Sequence, residues 1–304
     1  MNQRLCAAAP STDNRCSRPA LATLGVNLMV FMATLDMSIV NVALPTLVGK
    51  LGTDFATIQW VILSYILVIA SLLLLVSRFG DLHDKKRIFS AGLVVFILAS
   101  LCCGLAPSVG WLIAFRAVQG IGAAMSQSLG MAIITQIAPP ASRGRALGFI
   151  GGTVAMGLML GPPLGGMLIG LAGWRSMFLL NVPIGILAFY VVHRSMPNLP
   201  PVKAGERFDV PGAILASLTL CSYSLGMTLI QRHGVTDPAA LSLLALALVG
   251  LAVFIRVERR VGAPMLDLTL FSNPLISLPL AMSVLVFITG ASGFIMPFFL
   301  QTAQ

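Results

Sequence analysis

Asp36 stands inside a long apolar stretch, in Leu35-Asp36-Met37-Ser38-Ile39-Val40-Asn41-Val42-Ala43-Leu44-Pro45. An ionised carboxylate in such surroundings costs several kcal/mol unless it is paired or hydrated, so it should face a protein interior and is a candidate for reversible proton binding. Arg116 presents the same problem with the opposite sign. By helical rise Arg116 lies ~10 Å from one end of its own apolar stretch, and Asp36 lies ~18 Å from the corresponding end of the first. Helix tilt can bring the two to one depth, either as a mutually stabilised pair or as two groups meeting one water-filled cavity. Gln119, one turn beyond Arg116, extends the polar patch. The other reading of these residues is a structural clamp between helices.

Two further groups of residues have informative spacing. Gly157, Gly161 and Gly165 recur every four residues and share one helix face, with Gly166 beside them, which suits close helix packing. Pro162 and Pro163 interrupt the same stretch and should bend it near its middle, because each removes a backbone donor. The segment is either a rocking or sealing surface or a plain packing seam. The second group is Ser77-Arg78-Phe79-Gly80-Asp81-Leu82-His83-Asp84-Lys85-Lys86-Arg87, with acids beside bases. It reads as topological anchoring, or as a gate latch in which Asp81 accepts hydrogen bonds in one conformation only. His83, His193 and His233 fall in a loop or at span ends and are not proton carriers in this reading. The five cysteines lack ligand or disulfide spacing.

The elements that must hold these residues follow from composition. The chain of 304 residues is 57% hydrophobic and only 10% charged, against about 25% charged in soluble domains, and its mean hydropathy is +0.95. Nine apolar stretches, near 21–48, 57–79, 88–107, 110–136, 147–171, 174–193, 210–231, 238–255 and 274–301, are long enough to cross a bilayer. They must be helices, because a lone strand in lipid leaves its backbone unpaired. The fold class is therefore all-α, a polytopic membrane helix bundle of about nine spans. The first stretch is too long for a secretory signal and should stay as a helix.

The net charge of +9 does not indicate nucleic acid, because of where it sits. In the nine-span order, fifteen Lys and Arg fall on one side, and only Lys50, Arg175 and Arg232 on the other. That asymmetry predicts a cytoplasmic N-terminus in a plasma (inner) membrane. Residues 1–20 form a cytoplasmic tail, 21–194 hold six spans, and 195–209 form the longest connection and a natural boundary. Residues 210–255 hold a helix pair, and 256–304 a basic loop and one more span. The odd count and the stop soon after the ninth span lead to the expectation of a truncated chain. No nucleotide-binding glycine loop, metal set or catalytic triad is found, so neither a cofactor nor an enzyme activity is expected.

These residues resemble the major facilitator superfamily, and more closely its drug:proton antiporters with fourteen spans, over Leu21 to Gln304. Leu35 to Pro45 is similar to the first-helix motif, which implies that Asp36 and Asn41 belong to the coupling or substrate pathway. Arg116-Ala117-Val118-Gln119-Gly120-Ile121-Gly122-Ala123-Ala124 resembles the fourth-helix motif, whose arginine is implicated in proton transfer; Gln119 is grouped with the substrate pathway. Gly157 to Gly166 looks like the fifth-helix motif of exporters. Trp174 to Gly185 is similar to the usual start of span six. The loop departs from the family pattern, with Ser77 at the first glycine, Leu82 at the basic position and Asp84 at the second glycine; Asp81, Lys85 and Lys86 remain as the gate.

The resemblance implies an N-terminal six-helix bundle, an inserted pair, and the first helix of a C-terminal bundle whose remaining five or so spans lie beyond Gln304. It also implies a proton-coupled antiporter exporting hydrophobic or cationic drug-like compounds by alternating access. Its partners would be a small-molecule substrate, protons and the lipid bilayer; no periplasmic adaptor can be named. Pro264 to Phe271 and Met296 to Gln301 fit the same register. Two rivals stand beside this reading: a transporter of one defined metabolite or siderophore, and a non-transporting truncated remnant.

Overall fold

A computed structural model describes residues 19–201, 209–260, 273–275, 277–283 and 285. Nearly all of the expected tail, residues 202–208 of the polar linker, the loop from Pro264 to Phe271 and the greater part of the ninth span lie outside these residues.

Among the described residues, eight segments are long and apolar enough to cross a membrane. The first span is α1 (Pro19–Leu51), and the second joins a short α2 (Phe55–Ile58) to α3 (Trp60–Leu82). Next come α4 (Lys85–Gly104), α5 (Val109–Ile137) and α6 (Arg143–Ala172). The sixth span is α7 (Arg175–Leu179) with α8 (Asn181–Ser195); α9 (Val210–His233) and α10 (Pro238–Glu258) complete the order. Each of the first eight expected stretches falls essentially within one of these segments.

The helix ends have local causes. Asp54 caps α2, accepting from the hydroxyl and amide of Thr57, which holds its carboxyl below the usual carboxylate range. Asp84, Asp209 and Asp237 likewise cap α4, α9 and α10 through their side chains. Gly173 closes α6 at φ +78°, a conformation glycine adopts without steric cost. Span six is divided after Leu179 because Pro183 has no N–H to give the Leu179 carbonyl.

α1 lies at the centre, packed along α6, α8 and α5, while α5 fills the groove between α3 and α4. α9 docks on α3, and α10 pairs with α9. Two apolar cores share the bundle. One gathers around Val26, Met29, Met32, Phe89, Phe96 and Ile133, and the other around Leu35, Ile39, Leu47, Val61, Trp174 and Phe178. Apolar contact drives helix association weakly where the solvent is itself apolar, so close approach and polar links must help. Gly92 and Gly122 provide the approach between α4 and α5, where a Cβ on Gly122 would meet the Gly92 carbonyl oxygen at 2.7 Å. Thr153 donates to Asn27 Oδ1 at 2.9 Å between α6 and α1, and Ser64 donates to the Ile113 carbonyl at 3.3 Å between α3 and α5.

The glycine face of α6 seats on α1: a Cβ at Gly157, Gly161 or Gly165 would run into Thr34, Ser38 or Ile39 respectively. Gly166 is exposed, outside this seam. α6 runs from Arg143 to Ala172 as one helix with Pro162 and Pro163 inside it. The Leu158 carbonyl loses the amide that residue 162 would have supplied, and the Ser38 hydroxyl of α1 donates to it instead, at 3.0 Å. Gly161 and Pro162 thus interlock with Ser38. Gly161→Val should push Ser38 off the Leu158 carbonyl and lower stability by about 1–3 kcal/mol, a typical cost of overpacking. Thermal melting of the purified protein checks this, with exposed Gly166→Val as the control expected to change little.

Candidate functional site

Asp36 and Arg116 meet at the boundary between the two apolar cores. Their side chains are fully buried, and Arg116 Nη1 donates to Asp36 Oδ2 at 2.5 Å. The guanidinium makes two further hydrogen bonds: Nε donates to the Val61 carbonyl at 3.0 Å, and Nη1 also donates to Gln119 Oε1 at 2.6 Å. The Tyr65 ring lies 4.1 Å from the Arg116 carbon centre and the Phe178 ring 5.9 Å from it. A desolvated cation–π contact of this kind contributes about 2 kcal/mol.

The carboxylate has two more donors. Asn181 Nδ2 donates to Oδ1 at 2.6 Å and Gln119 Nε2 to the same oxygen at 3.3 Å. Gln119 Nε2 also donates to Ser100 Oγ at 2.7 Å, and the Cys103 thiol lies 4.0 Å from Gln119 Oε1. Five spans therefore contribute to one polar layer: Asp36 from α1, Tyr65 from α3, Ser100 and Cys103 from α4, Arg116 and Gln119 from α5, and Asn181 from α8. Tyr65 Oη and Arg116 Nη2 are buried without a hydrogen-bond partner.

A buried carboxylate with a single cationic neighbour has two alternative ways to lose its charge penalty: keep the pair, or take a proton and release the guanidinium. The arrangement suits a group that exchanges one for the other as the bundle changes shape. It offers no metal set, and among the described residues no cluster of three His, Cys, Asp or Glu exists that could hold an ion.

Asn41 is not brought to this layer. It follows Asp36 by five residues, about 140° around the helix, and is exposed, donating to the Met37 carbonyl of its own turn. Asn181 and Tyr65 take places that the sequence reading did not assign. Their signal was available, since an amide and a phenol inside apolar spans both need partners, but nothing in the order of residues says which helix will face them.

Asp81, Lys85 and Lys86, expected from the sequence to form a gate, lie together at the α3–α4 turn. Lys85 is buried and pairs with Asp81 at 3.1 Å. Lys86 Nζ donates to the Met196 carbonyl at 2.5 Å, just past the end of α8. Asp84 Oδ1 accepts from the Lys86 amide at 3.0 Å and the Leu199 amide at 3.3 Å. The acid at a position where the family pattern has glycine thus ties α4 to the chain leaving span six. Asp84→Ala should lower stability by about 1 kcal/mol, the usual cost of a lost helix cap. Asp84→Asn, which can still accept, should retain most of it in the same melting assay.

The family described as Major Facilitator Superfamily matches residues 26–303. Among curated relatives, the cephamycin export protein CmcT of Amycolatopsis lactamdurans is 38% identical over 87% of this chain and 56% of its own length. The multidrug resistance protein Stp of Mycobacterium tuberculosis is 34% identical over 88% of this chain and 50% of its own. The riboflavin transporter RibZ of Clostridioides difficile is 31% identical over 90% and 59%. The chain therefore spans about half the length of these relatives. In fold it is similar to the human organic anion transporter MFSD10, with a TM-score of 0.55 and 14% identity over 78% of this chain and 71% of that one.

Proposed function

Since the chain belongs to the Major Facilitator Superfamily and so to a class of membrane transporters rather than enzymes, we propose that it is the proton-coupling part of an antiporter that exports hydrophobic or cationic drug-like compounds. The observation that carries this reading is the Asp36–Arg116 pair, fully buried and ringed by neutral donors. In the outward-open state Asp36 takes a proton and releases Arg116; in the inward-open state it gives the proton up and re-forms the pair. The two conformations then differ in proton affinity, which is the condition for a gradient to drive the cycle.

The asymmetry of basic residues supports an N-terminus in the cytoplasm of a plasma (inner) membrane. In that orientation Asp81, Lys85 and Lys86 form a cytoplasmic latch that closes with the inward side. Substrate contact falls to exposed apolar surface such as Met131, Met156 and Met159, with Asn41 as a polar contact; methionine adapts to varied shapes. The names of CmcT and Stp support export of drug-like compounds by analogy.

The name of RibZ favours a second reading, transport of one defined metabolite. Energised cells expressing the protein separate the two. Efflux of a fluorescent lipophilic cation that stops on adding an uncoupler supports the antiporter. No efflux above vector from protein that has reached the membrane, together with proton-dependent movement of a single metabolite, supports the rival.

A further inference from the structure

Span six places the Phe178 ring against Arg116 and sends one hydrogen bond to Asp36, from Asn181. Asn181 is the first residue of α8 and is 1% exposed. Its amide crosses to α1 and donates to Asp36 Oδ1 at 2.6 Å, the shorter of the two hydrogen bonds that this oxygen receives. Gln119, the other donor, rides on α5 with Arg116 and is engaged with Ser100 as well, so it moves with the arginine. Asn181 moves with span six. That span is divided at Leu180, three residues before Pro183, whose missing N–H leaves the backbone there one hydrogen bond short. α7 packs on α4 and α6, and α8 on α1 and α4, so a small change at the joint displaces Asn181 against Asp36.

We infer that Asn181 is a positioning residue for proton coupling, whose amide holds the ionised form of Asp36 and whose withdrawal by movement of span six promotes proton uptake. The inference rests on the antiporter reading of Asp36. Neutral donors to a carboxylate favour the charged form, and removing one favours the protonated form. The charged and titratable groups around Asp36 are few: Arg116 from α5, Tyr65 from α3 and Cys103 from α4. α6 presents Gly157, Gly161 and Gly165 to α1, and α8 presents Asn181. Among the described residues no second acid lies in the layer to take over the role.

The test is an infrared titration of the purified protein in lipid nanodiscs, following the carboxylic C=O band that is absent from Asp36→Asn. Asn181→Leu, close in size and without a donor, should move the midpoint of that band to higher pH by about one unit, the scale of one lost hydrogen bond to a charged group. Asn181→Asp should move it further, because two carboxylates at this distance cannot both ionise. Asn181→Gln, which keeps the amide, should return it toward wild type. An unchanged midpoint in both Leu and Asp variants, or no band that depends on Asp36, overturns the inference. Efflux by the unaltered protein, measured in parallel, decides the antiporter reading separately. If efflux is uncoupler-sensitive and the Leu variant loses only amplitude with the infrared midpoint fixed, Asn181 is structural and the antiporter reading stands.

Discussion

Asp36→Asn is expected to reduce proton-driven efflux to the level of cells carrying no transporter, while the protein still reaches the membrane. The amide is nearly the shape of the carboxylate, and its oxygen can still accept from Arg116 or Asn181, which bond the two separate oxygens of Asp36. It cannot bind and release a proton near neutral pH, so the proposed step that distinguishes the two conformations would disappear. The substitution also leaves the Arg116 charge without a counter-ion in a fully buried position, and breaking a buried pair from one side costs about 3–5 kcal/mol. The retained acceptor should bring the loss below that range. Two measurements separate the effects: protein abundance in the membrane reports folding, and uncoupler-sensitive efflux per molecule reports coupling. Full efflux from Asp36→Asn would remove Asp36 from the proton pathway.

Arg116→Leu should be the more damaging change to the fold. It strips the Val61 carbonyl and Gln119 of their donor and leaves the Asp36 carboxylate with neutral partners alone. The expected loss is about 3–5 kcal/mol, seen as a lowered melting temperature and reduced yield. The double variant Asp36→Leu with Arg116→Leu should recover much of that stability, because two apolar side chains need no counter-ion and replacing a buried pair is often neutral. It should remain inactive in efflux. A double-mutant cycle over the melting data then gives the coupling between the two residues directly. If the two single losses simply add, the pair contributes nothing as a pair, and the clamp between helices must be sought elsewhere in the layer. Arg116→Lys should rescue poorly, since a point charge on a flexible stem cannot bond Val61, Gln119 and Asp36 in one plane.

The glycine seam illustrates how far a spacing rule reaches. Gly157, Gly161 and Gly165 at intervals of four had to share a face, and that face had to approach another helix closely. The partner, α1, was not in the pattern, nor was the rescue of the Leu158 carbonyl by Ser38. Pro162 and Pro163 were expected to bend α6, and each removes a backbone donor from it. In the bundle α6 continues as one helix, and a neighbouring hydroxyl stands in for an amide that proline lacks. Asn41 shows the reverse case: a motif residue five places from Asp36 belongs to another side of α1.

By itself the sequence determined the number and approximate limits of the first eight spans, because an apolar run of that length has only one way to satisfy its backbone in lipid. It also determined that Asp36 and Arg116 must each find a partner or water, because a lone charge there is too costly. Only the tertiary structure decided that they find each other, that Asn181 from span six and Tyr65 from span two join them, and that Asp84 ties the α3–α4 turn to the chain beyond α8. Those pairings depend on which helix faces which and at what depth. Helix rotation and tilt are set by packing summed over many contacts between distant parts of the chain, and no local pattern of residues encodes that sum.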